Sequence, residues 1–301
     1  MRRNVLIDAP SNLGLRPPAP GVVPGCYKLA GALREQGLLR RLGALEGGVV
    51  VPPRYGLGDW REGDGDFHAP EIASYSARLA RRVQGHVRSG DFPVVLGGDC
   101  SILLGAVLAL RRLGRYGVAY LDGHGDFRHP DNTAVAGPVG AAAGEGVAQI
   151  TGRGQAELTD IEGLRPYVRD EDVCLLGVRD ADVDQPELAG LGISCTNVGG
   201  IRRHGPEAVA REALRHLQNS PLDGFWIHLD ADVLDPTVMP AVDSPDPGGL
   251  FTEELRSLLA PLAASPRCVG VTVAIYDPDR DPDGSGAVLL ADLLTDVFAQ
   301  P

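Results

Sequence analysis

The alternation of two kinds of segment along the chain is its strongest constraint on the fold. Short apolar runs rich in β-branched residues end in glycine or an acidic residue, and amphipathic stretches with helical spacing separate them. Such near-continuous apolar runs are typical of strands buried on both faces of a parallel sheet. Strands are predicted over 4–10, 47–53, 92–98, 117–126, 172–180, 224–232 and 268–277, and helices over 25–36, 69–90, 101–113, 205–219, 252–264 and 285–299. The alternation predicts one doubly wound α/β domain over residues 1–301.

Composition and charge narrow the class of protein. Of the 301 residues, 44% are hydrophobic and 23% are charged, which is ordinary for a soluble globular enzyme. The net charge of −12 argues against nucleic acid or an anionic membrane surface as partner. Five cysteines without a CxxC pair, together with the lack of a secretory signal, indicate a reducing compartment. We therefore expect a cytoplasmic protein with no membrane span and no nucleic-acid partner.

Polar side chains gather where three of the predicted strands end. Asp99 and Cys100 follow the strand over 92–98, and the segments DGHGD (122–126) and HLDAD (228–232) end two others. Ligands of such sheets bind beyond the carboxyl ends of the strands. If both segments are extended, residues 122, 124 and 126 face one way, as do residues 228, 230 and 232.

Carboxylates at this density repel one another and lose solvation, and divalent cations are the usual remedy. Four aspartates and one histidine suit a pair of ions that share carboxylates and activate a water molecule between them to hydroxide. The residues concerned are Asp122, His124, Asp126, Asp230 and Asp232. Alone, DGHGD also fits a glycine-rich turn and DAD a plain strand end, but their joint occurrence favours a metal centre.

These segments carry a family resemblance. GGDCS (97–101), DGHGD (122–126) and the long segment over 228–249 resemble the blocks GGDHS, DAHxD and SxDxDxxDP of the ureohydrolases, which include arginase, agmatinase and formimidoylglutamase. The resemblance spans nearly the whole chain. It implies a three-layer α/β sandwich around a mostly parallel sheet of about eight strands. It also implies a small-molecule substrate and a homo-oligomer, either trimer or hexamer.

The resemblance also implies a ligand set for two manganese ions. Asp122 and Asp230 would bridge the ions, His124 and Asp232 would complete one site, and Asp126 with residue 100 would complete the other. Residue 100 is histidine in the family and cysteine here. Because thiolate is soft and Mn²⁺ is hard, Cys100 should weaken manganese at that position. Three outcomes are open: a softer ion such as Zn²⁺ at Cys100, a neutral thiol beside a single ion, or two empty positions.

Two further departures concern catalysis. The family has a proton-transferring histidine after DAHxD, whereas the corresponding stretch here falls near Val139 and Gly140 and contains none. The family also has a glutamate that binds the guanidinium group, and Ile275 takes its position. A desolvated guanidinium would lack its anionic partner there, which would cost several kcal/mol.

Other residues offer compensation. Asp126 and His228 are the candidate catalytic residues. His228 is a candidate extra ligand, a candidate acid or base, or a histidine that only hydrogen-bonds a carboxylate. His129 and Glu145 are weaker candidates for proton transfer. Asp182 matches a family residue that binds a substrate amino group, although it would equally cap the turn over 180–186. The loop over 53–69 is either a lid or a plain surface loop.

The sequence therefore predicts a metal-dependent hydrolase that cleaves C–N bonds in a guanidine- or amidine-like small molecule by metal-bound hydroxide. The two departures argue against an ordinary arginase. One alternative is a one-metal hydrolase of an amide or a modified guanidine. Another is a catalytically degenerate binding protein with the same fold, which the retained carboxylates and His124 disfavour.

Overall fold

Eight strands form one sheet in the computed structural model of the chain, which describes residues 2–218 and 221–299. The strand order is β2-β1-β3-β8-β7-β4-β5-β6, and every neighbouring pair is parallel. The strands are β1 (Arg3–Asp8), β2 (Leu45–Val49), β3 (Asp91–Leu96), β4 (Tyr116–Leu121), β5 (Val173–Leu176), β6 (Ser194–Thr196), β7 (Gly224–Asp230) and β8 (Cys268–Ala274). The predicted α/β class and eight-stranded parallel sheet are confirmed.

Several strands end earlier than the apolar runs predict. β4 ends at Leu121, and the chain then turns through Gly123, so that the backbone N–H of His124 donates to Asp122 Oδ1 at 2.7 Å. Asp126 has a φ of 48°, which is incompatible with an extended strand. The expectation that residues 122, 124 and 126 extend along one face is therefore wrong, because hydrogen bonding within the turn replaces the ladder.

Each of the six predicted amphipathic stretches contains a helix. The helices are α1 (Leu29–Glu35), α2 (Leu38–Arg41), α3 (Ala69–Arg88), α4 (Leu103–Arg111), α5 (Thr133–Ala136), α6 (Gly146–Ile150), α7 (Ala156–Thr159), α8 (Gln185–Gly190), α9 (Val198–His204), α10 (Pro206–Gln218), α11 (Thr252–Ala264) and α12 (Ser285–Phe298). The described residues thus form six further short helices that the sequence did not predict, α2 and α5–α9. Short 3-10 turns precede α1 and α4. Residue 219, the predicted end of the 205–219 helix, lies outside the described residues. No helix in the described ranges has the length and apolarity that crossing a membrane requires.

The core lies in two clusters, one on each face of the sheet. Along β1, Leu6 packs into one cluster and its neighbours Val5 and Ile7 into the other. The first cluster includes residues of α1, α2 and α9–α12, and the second includes residues of α3, α4, α6 and α8. Helices thus cover both faces, which explains why the strands are apolar along both sides.

The strand order decides where the polar strand ends meet. β3, β8, β7 and β4 are consecutive in the middle of the sheet, although they are far apart in the chain. Their carboxyl ends carry Cys100, Ile275, the 230–232 segment and the 122–126 segment respectively. A rigid four-strand platform therefore brings the predicted site residues to one edge.

Candidate metal centre and its cleft

The end of β3 fixes Cys100 in the interior. Gly98 leaves no room for a side chain, since a Cβ there would lie 1.5 Å from the carbonyl oxygen of Ser11. The Asp99 carboxylate then accepts a hydrogen bond from the backbone N–H of Ser101 at 2.8 Å, which caps the 3-10 turn Cys100–Ile102. Cys100 is buried, and its Sγ donates to Asp230 Oδ2 at 2.7 Å.

The turn after β4 supplies the next two donors. Asp122 is buried, and its Oδ2 has no hydrogen-bond partner among the described residues. His124 is partly exposed, with Nδ1 3.0 Å from Asp232 Oδ2 and 3.6 Å from Asp122 Oδ1. On its outer side, His124 Nε2 lies 3.1 Å from Asp246 Oδ2. His124 therefore stands between the buried carboxylates and solvent.

The end of β7 holds the remaining aspartates. The backbone N–H of Asp232 donates to Asp230 Oδ1 at 2.7 Å, and the N–H of Gly123 donates to Asp232 Oδ1 at 3.1 Å. The Arg179 guanidinium donates to the carbonyl oxygens of Asp232 at 2.7 Å and Leu234 at 3.2 Å. Sequence reasoning did not single out Arg179 as a residue that holds this segment in place, although its position directly after β5 in a GxRDxD segment was a usable signal.

His228 is fully buried in β7, and the register pairs it with Thr272 of β8. Its Nδ1 lies 2.7 Å from Thr272 Oγ1, whereas Nε2 has no partner among the described residues. Burial lowers the pKa of His228 to about 3, so the imidazole is neutral at ordinary pH. His228 is not among the residues that line the cleft. These features favour its predicted role as a ligand over its role as a catalytic acid.

The donors form two groups, within each of which one donor atom from every residue lies within 4.8 Å of the others. We call the set Cys100, Asp122, His228 and Asp230 the buried group, and the set Asp122, His124 and Asp232 the open group. The unpartnered Asp122 Oδ2 and His228 Nε2 belong to the buried group. A buried polar atom without a partner costs about 1–3 kcal/mol, so both atoms fit a cation between the donors.

The pKa values of the buried acids also indicate a cation site. Burial, reinforced by the charge of Asp232, raises the pKa of Asp122 to about 7. Burial also raises the pKa values of Asp230 and of the Cys100 thiol well above their usual ranges. Burial alone would raise the pKa of Asp232, but the hydrogen bond from His124 outweighs it and lowers that pKa. Without a cation, Asp122 and Asp230 therefore favour protonation, and a divalent ion relieves the same repulsion.

Asp126 stands apart from both groups. The Tyr120 hydroxyl donates to Asp126 Oδ2 at 2.6 Å, and the Tyr120 ring lies beside the His228 ring at 4.6 Å. Asp126 lines the cleft, and burial raises its pKa well above the usual range. Its carboxylate accepts the Tyr120 hydroxyl, and among the described residues the buried group includes His228 and not Asp126. The predicted ligand role of Asp126 stays a prediction.

A cleft of about 940 Å³ opens over the open group. His124, Asp126, Asp230 and Asp232 form part of its lining, together with Ile275. The 53–69 loop contributes Leu57, Gly58, Trp60 and Phe67, so it borders the cleft as a lid would.

The other residues that the sequence singled out differ in whether they line the cleft. Asp182 lines the cleft and accepts hydrogen bonds from the backbone N–H groups of Gly125 at 3.1 Å and Asp184 at 2.9 Å. His129 Nε2 lies 3.0 Å from Glu187 Oε1, and neither His129 nor Glu145 is among the lining residues.

The chain is similar to known proteins over nearly its whole length. The sequence model of the arginase family matches residues 24–299. The chain belongs to the arginase family. Arginase of Brevibacillus brevis is 33% identical over 230 residues, which cover 76% of each protein. The native structure of arginase from Bacillus caldovelox superposes with a TM-score of 0.88 and 27% identity, covering 100% of this chain and 99% of the other.

More distant structures share the architecture of this arginase-family chain. Formimidoylglutamase from Bacillus subtilis gives a TM-score of 0.76 at 19% identity, a likeness of fold alone. The resemblance to the ureohydrolases is thus confirmed. Membership of this family makes the chain a hydrolase-type protein whose candidate metal-binding residues lie where the strand ends meet.

Proposed function

We propose that the chain is a metal-dependent hydrolase of C–N bonds in a small molecule with a guanidine- or amidine-like group. The observation that carries the proposal is the convergence of Asp122, His124 and Asp232 beneath an open cleft, which His124 and Asp232 line, in an arginase-family fold. Divalent ions held there would supply Lewis-acid chemistry and lower the pKa of water at the site.

The two donor groups suit different ions. The open group offers one imidazole and two carboxylates, which suit Mn²⁺. The buried group adds a thiol and a second imidazole to two carboxylates, a set that suits Zn²⁺. We propose about one Mn²⁺ per chain in the open group, with a softer ion or a neutral thiol in the buried group. The short contact between Cys100 Sγ and Asp230 supports the neutral thiol when no ion is present.

We further propose that arginine and agmatine are poor substrates. Ile275 presents an apolar side chain to the cleft where the family resemblance implies a carboxylate. Gly140 occupies the stretch where a proton-transferring histidine would stand, and its N–H donates to Glu145 Oε1 at 2.8 Å. A guanidinium that binds in the cleft is then not held at residue 275, and no histidine near Gly140 transfers a proton, so these two features support slow hydrolysis of a guanidinium rather than weak binding.

The test combines metal analysis with a substrate panel. Purified protein is dialysed against Mn²⁺ or Zn²⁺, its bound metal is measured, and release of urea or ammonia is followed for arginine, agmatine and smaller amidines. We expect metal-dependent hydrolysis of an amidine and much less urea than an authentic arginase releases under the same conditions. Robust urea release from arginine would refute the poor-arginase proposal, and the absence of bound metal would refute the hydrolase proposal.

A second candidate is one-metal hydrolysis of an amide. The observation that favours it is the hydrogen bond from Cys100 to Asp230. Because these two side chains already partner each other, the open group could bind a single ion without an ion in the buried group. The two candidates differ in product, because an amide yields a carboxylic acid and an amine. Including simple acyl amides in the same panel separates them.

A further inference from the structure

At residue 275 the cleft has an isoleucine and therefore no anion that could pair with a cationic amidine. The Ile275 side chain lines the cleft, and its backbone N–H donates to the Gly98 carbonyl oxygen at 2.7 Å, which holds the residue at the edge of the sheet. A buried cation without a counter-charge is strongly disfavoured. A substrate of the proposed class therefore requires a carboxylate elsewhere on the same wall.

Asp243 lies on that wall. It lines the cleft together with His124 and Asp232, and these two residues are among the charged groups that act on its carboxylate. The backbone N–H of Asp277 donates to the Ala241 carbonyl oxygen at 2.8 Å, so the segment that carries Asp243 runs beside the segment that carries Ile275.

The Asp243 carboxylate is also free to bind a ligand. Among the described residues, the neighbouring Ser244 hydroxyl donates a hydrogen bond to Asp243 Oδ2 over a long distance of 3.3 Å. The Arg280 guanidinium also acts on the charge of Asp243, but it lies closer to Asp277, with its Nε 3.8 Å from Asp277 Oδ2. Across the described ranges, no lysine or arginine nitrogen lies within 4.0 Å of the Asp243 carboxylate.

The other carboxylates of the cleft are engaged. Asp126 accepts the Tyr120 hydroxyl, and Asp230 and Asp232 belong to the donor groups. Asp182 and Asp184 accept backbone N–H groups, Asp184 from Phe127 at 3.1 Å. Of the carboxylates that line the cleft in the described part of the chain, Asp243 is the one that neither accepts a backbone N–H or the Tyr120 hydroxyl nor belongs to a donor group.

We propose that Asp243 binds the amidinium or guanidinium group of the substrate and thereby replaces the anion missing at Ile275. The inference rests on the proposed function, because it assumes a cationic C–N substrate. A carboxylate accepts two N–H groups from a planar amidinium in a charge-assisted pair, which fixes orientation as well as charge. The same geometry discriminates against a neutral urea or amide of equal shape, because the carboxylate is then left unpaired.

The experiment compares two probes of matched shape on the Mn²⁺-loaded protein. Agmatine carries a guanidinium, and N-carbamoylputrescine carries a neutral urea in its place. Binding of each is measured by titration calorimetry to the parent and to Asp243→Asn, Asp243→Glu and Asp296→Asn. Asp296 is a surface carboxylate on α12 that pairs with Arg256 of α11. It is not among the residues that line the cleft, so its variant removes one charge outside the cleft.

We expect the parent and Asp296→Asn to bind agmatine at least about 10-fold more tightly than the neutral probe. Asp243→Asn should lose that preference, and Asp243→Glu should retain part of it. Bound Mn²⁺ should be equal in all four proteins. Unchanged preference in Asp243→Asn, or no preference in the parent, overturns the inference. Because metal content and amidine hydrolysis are measured separately, a functional metalloenzyme with an indifferent Asp243 refutes this inference alone.

Discussion

The buried group and the open group share Asp122 and the same edge of the sheet, yet they differ in their access to solvent. Cys100 and His228 are buried and are not part of the cleft lining, whereas His124 is partly exposed at the floor of the cleft. Asp230 and Asp232 are buried side chains that also reach the cleft. Closed donor sets are typical of structural metal sites, and sets that keep an open position are typical of catalytic ones. On the function proposed above, substrate would meet the open group, and the buried group would act on it through the shared Asp122.

The first way to break this comparison is to remove the residue that both groups use. Asp122→Ala is expected to lower bound metal and hydrolysis by at least about 100-fold, because it strands the other carboxylates without a shared ligand. Elemental analysis after dialysis measures the metal, and Asp131→Asn, an exposed neighbour, serves as the charge control. Normal metal content in Asp122→Ala would show that the donor groups are wrongly assigned.

The second test separates the groups by their histidines. His124→Ala should remove Mn²⁺ and catalysis together, whereas His228→Ala should chiefly remove the softer ion and lower kcat by only about 10-fold. Both variants are loaded with Mn²⁺ and Zn²⁺ together, and each metal is counted after gel filtration. Equal losses of both metals in both variants would mean that the two groups act as a single site.

The third test concerns the sulfur donor. Cys100→His replaces a soft ligand with a nitrogen and should raise bound Mn²⁺ from about one ion per chain toward two. Activity need not follow, since Ile275 remains. Cys195→Ser, a change at a cysteine outside both groups, controls for loss of a thiol. Two tightly held Mn²⁺ ions in the parent would contradict the proposed effect of Cys100.

The smallest effect is expected at a buried acid outside both groups. Burial and the neighbouring Glu145 raise the pKa of Asp66 to about 8, and Gln149 Nε2 donates to Asp66 Oδ2 at 3.2 Å. Between its unfolded pKa near 4 and this value, the folded state keeps a proton that the unfolded state loses, so stability falls as pH rises from about 4 to 8.

Asp66→Asn should flatten that dependence and raise the free energy of unfolding at pH 8 by about 1 kcal/mol, with little change at pH 5. Urea unfolding at the two pH values, with and without added metal, provides the measurement. A stabilisation that depends on metal would place Asp66 within the influence of the donor groups, and equal effects at both pH values would contradict the raised pKa of Asp66.

The sequence predicted the sheet and most of the donors because both follow from local patterns. Apolar runs marked seven of the eight strands, but β6 has only three partly buried residues and no such run. Spacing indicated Asp122, His124, Asp230 and Asp232, all of which the structure brings together.

The rest of the site depends on contacts between distant segments. His228 was a candidate ligand, but its partner Thr272 follows only from strand register. Asp126 is only six residues after Tyr120 of β4, but the hydrogen bond between them depends on the tight turn after β4, which the extended-strand prediction did not include. Asp243 lies in a proline-rich loop without periodicity, so its position beside the cleft was invisible in the sequence.

Ile275 has a φ of 73°, in the left-handed region that a β-branched side chain enters at a cost of about 1–3 kcal/mol. A glycine there would relieve that strain, but it would also remove a buried side chain of the core, which costs about 2–5 kcal/mol, and it would open the floor of the cleft. The packing of the Ile275 side chain therefore outweighs the strain of its backbone, and selection for thermal tolerance alone would keep the residue. Engineering this protein for robustness means leaving residue 275 untouched and seeking stability in the helices that cover the sheet.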